Sequence, residues 1–481
     1  MENPKLYLLI PISFLQFSIF FINLSWGFSP VDNYLLDCGS FADTIVDVDN
    51  RNFVGDSSNF GSVFLSATRT ISLRDENPSP VSSPLYHTAR VFTKPSNYEF
   101  EIKKKGTHLV RLHFLPFSSS TYNLSDARFH VSVPGFLLLS KFSAQDRRIP
   151  VLKEYFIWVE SEKLVISFTP LREFPFAFVN AIEVISAPED LIADTAQLVN
   201  SERIENFDEL TKQALETVYR VNMGGPKVTP FNDSLWRTWI PDDGFLKLRS
   251  ASKAVHFSGR IKYQRGGASR EIAPDNVYNT ARVMSNANVS MPDFNITWVF
   301  PVSSGYKFLV RMHFCDIASI SLNLLYFNVY INGYSATKDL DLSELTSQML
   351  ASPYYADFVV DGDSSKALSI SIGPSSLSSP ARINAILNGL EIMKLNNSIG
   401  SLDGDLAADL AVQSWRKGNI GVLVPLVSIM SLFMIAMVVM HRRSNVVKEK
   451  DSVAWSPLPV DVLEGNLKYG NQQLSGKLGY F

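Results

Sequence analysis

Two Arg-x-His pairs, Arg111 with His113 and Arg311 with His313, have types and spacing that could do chemistry. Each alternates with apolar residues, in Val110-Arg-Leu-His-Phe114 and Val310-Arg-Met-His-Phe314. A strand would therefore carry both polar side chains on one face. An arginine there could grip a carboxylate, such as that of an acidic sugar, through two parallel hydrogen bonds. The favoured reading is plainer: a strand feature inherited by duplication. Two Thr-Ala-Arg segments offer a second arrangement. Tyr86 with Arg90, and Tyr278 with Arg282, could stack on and hydrogen-bond a glycan, or could tie a loop to the body of the fold. Trp236 and Trp239 flank Arg237 and read as core and rim anchors that could line a cleft between domains. These six, Tyr86, Arg90, Tyr278, Arg282, Trp236 and Trp239, are the candidate ligand-binding residues.

Catalytic signals are missing. The seven histidines show no HxH or HxxxH spacing, and no GxSxG occurs. Asp47 and Asp49, and Asp339 and Asp341, could line an oxygen-rich cation site, but such acids are more often a solvated strand face or a turn. No catalytic residue, metal or cofactor is expected. A net charge of −3 gives no reason to expect nucleic acid. Asn180-x-x-Glu183 and Asn388-x-x-Glu391 read as structural signatures of a last strand, with the Asn bonding a turn.

The elements that must position these residues are themselves repeated. Tyr34–Ser40 answers to Tyr219–Gly225, Arg51–Asp56 to Arg237–Asp242, and Tyr86–Phe92 to Tyr278–Met284. Leu109–Phe114 answers to Leu309–Phe314, Phe129–Val133 to Phe327–Ile331, and Asn180–Val184 to Asn388–Ile392. Six matches in one order imply two copies of one unit. Period-two alternation, turn-rich spacers and 33 phenylalanines suit antiparallel sheets packed face to face. Phe207, Leu210, Ala214 and Val218 fall near helical spacing, so a short helix over 204–214 is expected in the bridge. Cys38 matches Met223 and Cys315 matches Leu115. Each thiol thus replaces a plain apolar residue, which favours two buried free thiols over a bridge.

Residues 1–27 read as a secretory signal, with Lys5, an apolar run Leu6–Leu24, and small Ser25 and Gly27 before the cleavage point. Ile420–Met440 holds no ionisable side chain and is long enough to span a bilayer as a helix. His441, Arg442 and Arg443 follow at once, favouring a cytoplasmic tail. The expected organisation is signal 1–27, first domain 30–190, bridge 191–218, second domain 219–395, stalk 396–419, transmembrane helix 420–440 and cytoplasmic tail 441–481. That is a type I single-pass protein. Sequons at Asn123, Asn232, Asn288, Asn295 and Asn396 all fall on the outer side, as N-glycosylation requires.

The run YLLDCGS, the block LYHTARVF, the pair GTHLVRLHF and FLVRMHF, and PFNDSLWRTWIPDD followed by EIAPDNVYNTAR resemble the plant malectin-like receptor kinases related to the Catharanthus roseus receptor-like kinase. The resemblance covers roughly residues 30–395 and reaches Val453-Ala-Trp-Ser-Pro-Leu458 beyond the span. It implies two tandem malectin-like β-sandwiches, jelly-roll-like, at the plasma membrane. It also implies binding of secreted cysteine-rich peptides, often with a lipid-anchored co-receptor, and of cell-wall polysaccharide, especially pectin. Full-length receptor kinases are possible membrane partners. A serine/threonine kinase would follow the span. Residues 441–481 carry no glycine-rich loop, VAIK-like lysine, HRD or DFG, so this chain is expected to be no enzyme itself. The alternatives are a surface-tethered carbohydrate-acting enzyme and a decoy that sequesters ligand from full-length kinases.

Overall fold

The computed structural model describes residues 28–450 apart from 68, 147, 175, 201–203, 285–294 and 379–383. The expected signal at 1–27, the tail beyond 450 and the sequon Asn288 lie outside the described residues. By contacts the chain divides into two compact units, Met1–Arg416 and Lys417–Phe481. The first holds both repeats and is almost entirely β-structure.

Nine strands of its largest sheet position the site. In chain order they are β1 (Asn33–Asp37), β2 (Gly106–Phe114), β3 (Val151–Val159), β4 (Ala181–Ser186), β5 (Ala196–Val199), β6 (Leu215–Asn222), β7 (Lys307–Cys315), β8 (Pro353–Asp361) and β9 (Gly389–Leu395). The first repeat contributes the spatial order β1-β4-β2-β3, the second β6-β9-β7-β8. Equivalent strands therefore occupy equivalent places. The two halves join because β3 pairs antiparallel with β6, Tyr155 opposite Glu216 and Phe156 opposite Leu215. At the far end β5 pairs parallel with β8. The outer edge of β3 is thus covered by the next repeat, and that of β8 by the linker strand. Both solutions remove an open edge.

Alternation then sorts the side chains. Val110, Leu112 and Phe114 of β2 enter the first core with Phe129 and Phe168. Val310, Met312 and Phe314 of β7 enter the second with Phe327 and Ile370. Leu109, Phe156, Leu309, Val359, Met393 and Trp239 form a third cluster, drawn from both repeats, on the opposite face of the sheet. That face also holds Arg111, His113, Arg311 and His313, all buried. Gly39 and Gly224, at equivalent turns, have φ +84 and +67, and a Cβ on either would come within 2.3 Å of a backbone carbonyl. Only glycine fits. Cys38 and Cys315 are buried free thiols, as the repeat alignment implied.

Two expectations need correction. The bridge is not a helix over 204–214. Ile204–Phe207 is a strand paired with β5, and Leu210–Lys212 is a single 3₁₀ turn entered through Glu209 at φ 62. So short a helix is marginal alone, and strand pairing plus burial of Leu210 and Ala214 wins. Nor do residues 396–404 hang as a free stalk. Asn396 Oδ1 accepts from Ala214 N, Leu137 N donates to Gly400 O, and Ser140 N donates to Asp403 Oδ2. Gly404 N donates to the Tyr306 hydroxyl, and Leu402 is fully buried. This strap leaves the second repeat and fastens onto the first. A helix follows, α1 (Ala408–Lys450), containing Pro425. The expected span lies within it, with side chains at 413–424 and 426 outside the described residues. Among the described residues no helix is long and apolar enough to cross a membrane.

A candidate ligand cleft over an ionic floor

Where β3 meets β6, the sheet face carries a cleft of about 270 Å³ lined by both repeats. Its floor is a chain of charges. Arg111 reaches three partners: Glu154 on β3 at 2.7 Å, Glu183 on β4 at 2.8 Å, and the carbonyl of Leu235 in the second repeat at 2.8 Å. Arg51 meets the same Glu183 oxygen at 2.8 Å and Asp47 at 2.8 Å. The other Glu154 oxygen takes Arg220 of β6 at 2.7 Å and the Thr217 hydroxyl at 2.7 Å. Arg220 continues to Glu391 of β9 at 2.6 Å. A single path of ion pairs therefore runs from Asp47 in the first repeat to Glu391 in the second.

Each repeat hangs the same relay on it. His113 Nε2 lies 2.8 Å from Glu183 and its Nδ1 3.1 Å from the Tyr86 hydroxyl. His313 Nε2 lies 3.2 Å from Glu391 and its Nδ1 3.2 Å from the Tyr278 hydroxyl. Arg311 repeats Arg111, bidentate on Asp357 at 2.8 and 2.7 Å and donating to the Leu191 carbonyl at 2.7 Å. In both copies the arginine also holds a backbone carbonyl from outside its own sheet, Leu235 for Arg111 and Leu191 for Arg311.

The electrostatics keep this floor charged. Burial alone would raise the Glu154 carboxyl, but Arg220 and Arg111 outweigh it and hold it at about 2. Glu183 and Glu391 are likewise driven well down, burial notwithstanding, Glu183 by Arg111 and Arg51 and Glu391 by Arg220. Burial lowers His313, against the pull of Glu391. Glycoside cleavage asks one carboxyl of a pair to keep its proton as general acid. Glu154 and Glu183 are held ionised and occupied, so the floor does not supply that acid.

The rim is apolar. Leu152 and Ile240 stand exposed, with half-buried Trp236 beside them. Trp236 has φ 55, a left-handed backbone that a bulky residue seldom adopts and that recurs at ligand clamps. A ligand group entering here meets apolar walls over a floor whose charges are already paired.

The sequence-selected residues divide. Trp236 lines the cleft. Tyr86 is half-buried behind it, bonded to the lining residue His113. Tyr278 and Trp239 are fully buried and offer a ligand no surface, which corrects their selection; Trp239 Nε1 donates to Asp233. Arg90 grips Asp56 at 2.6 Å and Arg282 grips Asp242 at 2.9 Å, so both tie loops down, away from the cleft. Asn180 Oδ1 accepts from Leu115 N and Asn388 Oδ1 from Cys315 N, which fits their structural reading. Asp47 is spent on Arg51, and Asp341 caps Ser343 N. Sequence reasoning missed Glu154, Arg220 and Asp357. Glu154 and Asp357 sit in strands with no motif, and only their alignment across the repeats could have flagged them; Arg220 lies in the Tyr219–Gly225 block, where the first repeat has Leu35.

The family model described as the malectin-like domain matches residues 36–395. A probable receptor-like protein kinase of Arabidopsis thaliana is 46% identical over 461 residues, covering 93% of this chain and 54% of the relative. Receptor-like protein kinase HERK 1 of the same plant is 39% identical, covering 92% and 52%. The chain spans about half the length of these curated relatives. The crystal structure of the ANX1 ectodomain from Arabidopsis thaliana superposes with TM-score 0.70 at 30% identity, covering 78% of this chain and 98% of that one. A chain in the structure of plant peptide RALF23 in complex with FER and LLG2 superposes with TM-score 0.68 at 32% identity, covering 79% and 99%. With its twinned sheets and these likenesses, the chain belongs to the plant malectin-like receptor-like kinase family.

Proposed function

We propose that this chain is the sensing part of a single-pass cell-surface receptor. It binds a secreted signalling peptide at the cleft between two tandem malectin-like sandwiches, 30–190 and 219–395. The observation that carries the reading is the cleft: an apolar rim from both repeats, sized for one or two anchoring side chains, on a rigid self-paired floor. Peptide anchors of that kind dominate interface energies. The assembly of RALF23 with FER and LLG2 supports the ligand class and a co-receptor, which the family resemblance implies is lipid-anchored. Plasma-membrane placement, as type I, rests on the signal-like residues 1–27 and on Ile420–Met440. Within that stretch every large apolar side chain from Val427 to Met440 stands exposed, as a lipid-facing helix would have it. Sequons at Asn123, Asn232, Asn288, Asn295 and Asn396 fit that topology.

The test is titration of a RALF23-type peptide, with and without an LLG2-type co-receptor, into the purified full chain in detergent micelles. Saturable binding is expected, with Ile240→Asp at the rim weakening it about tenfold or more. No saturable binding in either arm removes the reading. The decoy role has the same cleft chemistry, and full-length receptor kinases are its alternative partners. Co-precipitation of this chain with such kinases from plant membranes separates the two.

A further inference from the structure

The strap grips one end of the strands in both repeats. Leu137 N donates to Gly400 O, and Gly404 N donates to the Tyr306 hydroxyl. Leu137 follows the Pro134-Gly135 turn, and Tyr306 immediately precedes β7. Ala408 and the fully buried Ala411, in the first turns of α1, then pack against Leu137. Ile420, where the expected span begins, is nine residues beyond Ala411. Nine residues reach about 30 Å at most, whatever path they take. That end of the first unit is therefore held close to the bilayer that the span would enter.

The same end exposes large apolar side chains from both repeats. Trp158, near the end of β3, is 41% exposed, and it lines a hollow of about 330 Å³ with Phe136, the neighbour of Leu137. Phe129–Val133 answers to Phe327–Ile331, so Tyr334 holds the place of Phe136 in the second repeat, and it is 44% exposed. Ile399 on the strap and Leu410 in the first turn of α1 are exposed as well. Phe41 and Phe60 stand exposed at the far end, so exposure alone chooses nothing. The route of the chain does.

The charges say what kind of surface fits. Lys103 and Lys105 stand exposed in the turn before β2. Lys104 pairs with Glu189 at 3.1 Å, and Lys163 with Glu99 at 3.3 Å. Ammonium groups on long apolar stems, beside part-exposed aromatic rings, are the mixture found where a membrane meets water. Interleaved carboxylates leave no strong field of one sign, which suits a zwitterionic headgroup better than an anionic one. Aromatic faces suit its choline, and lysines its phosphate.

We propose that this end of the first unit is a membrane seat. Trp158 and Tyr334 settle at headgroup level in the outer leaflet, and Lys103 and Lys105 reach phosphates. Leu152, at the cleft, lies six residues back along β3 from Trp158, about 20 Å at the rise of a strand. The cleft thus stands clear of the lipid while the first repeat rests on it. The proposal rests on the single-pass reading of the chain.

The experiment places the full chain in phosphatidylcholine nanodiscs, with or without a nitroxide on the headgroup. Cys38 and Cys315 are buried, so a fluorophore on an introduced surface cysteine reports one place. Ser161→Cys lies at the seated end, in the hollow with Trp158, and Ser120→Cys at the far end, beyond the last residue of β2. The label at Ser161 should lose most of its emission to the nitroxide, and the label at Ser120 should keep it. Adding Trp158→Glu and Tyr334→Glu should restore the emission at Ser161, with the melting temperature in detergent micelles unchanged because both side chains are exposed. Co-elution of chain and discs reports the span independently. Failure of the single-pass reading shows as chain outside the discs, and failure of the seat as incorporated chain with an unquenched label at Ser161. Either result overturns the proposal, as does equal quenching at both ends or quenching that survives the double replacement.

Discussion

Glu154 takes an arginine from each repeat, Arg111 through one oxygen and Arg220 through the other. Replacing it with Gln leaves two buried guanidinium groups short of a counter-charge. A loss of about 3–5 kcal/mol is expected in urea denaturation. Its carboxyl is held at about 2 when folded and titrates near 4.5 when free. Its contribution is therefore complete above the free value and disappears as pH falls through about 2. Glu154→Gln should flatten that acid limb of the stability curve. Asp37 has the opposite sign. Burial lifts its carboxyl to about 7, against a hydrogen bond from Thr88 and with Asp56 adding to the rise. One oxygen accepts from Thr88 Oγ1 at 2.8 Å, and the other is buried with no hydrogen bond within normal distance among the described residues. The second repeat places Asn222 there, bonded to Thr280. The folded chain holds this proton up to about 7 while the unfolded chain releases it near 3.8. Stability is thus lost as pH rises across that window. Asp37→Asn should raise the melting temperature at pH 8 and change it little at pH 4; equal shifts at both would sink the assignment.

Among the elements, the strap 396–404 and strand β3 matter most. The strap starts at the end of β9, crosses to Leu137 and Ser140 of the first repeat, and buries Leu402 in the first core. It ties the repeats together a second time, away from the β3–β6 seam. Leu402→Ala should cost about 2–5 kcal/mol, the usual range for emptying a packed leucine site. Hydrogen exchange should then quicken at the Leu137 and Leu402 amides, which bond across the strap. Unchanged exchange there would mean the strap holds nothing. Strands such as β2 and β7 were legible beforehand, because alternation and duplication gave the same answer twice. The 3₁₀ turn at Leu210 and the strap were not legible. Each is decided by partners far along the chain, Asp194 and Leu137, that no local pattern names.

For the whole first unit, the seam between repeats is both hydrogen-bonded and ionic. Glu216 adds to it, taking Lys153 of β3 at 2.7 Å and Lys394 of β9 at 2.5 Å. Two cores joined by one sheet and a shared charge path should melt together. Calorimetry should give one transition for the two repeats, and Arg220→Ala, which cuts the path between Glu154 and Glu391, should split it into two. Two transitions already in wild type would show that the seam does not couple them.

The order of residues by itself determined the duplicated blocks, the β-class and the family, and it favoured free thiols, which the structure shows. All of these follow from local alternation or from comparing one half of the chain with the other. Only the tertiary structure decided what the polar residues do. Alternation put Arg111 and His113 on the face away from the core, and sequence left them as an inherited strand feature or a sugar grip. The neighbouring repeat covers it, so the same residues become the buried floor of a cleft. Trp239 and Tyr278 were buried by the same packing, while Trp158, unmarked by any motif, was left exposed. Burial depends on which distant surface arrives, and the spacing of residues along one strand carries no record of that.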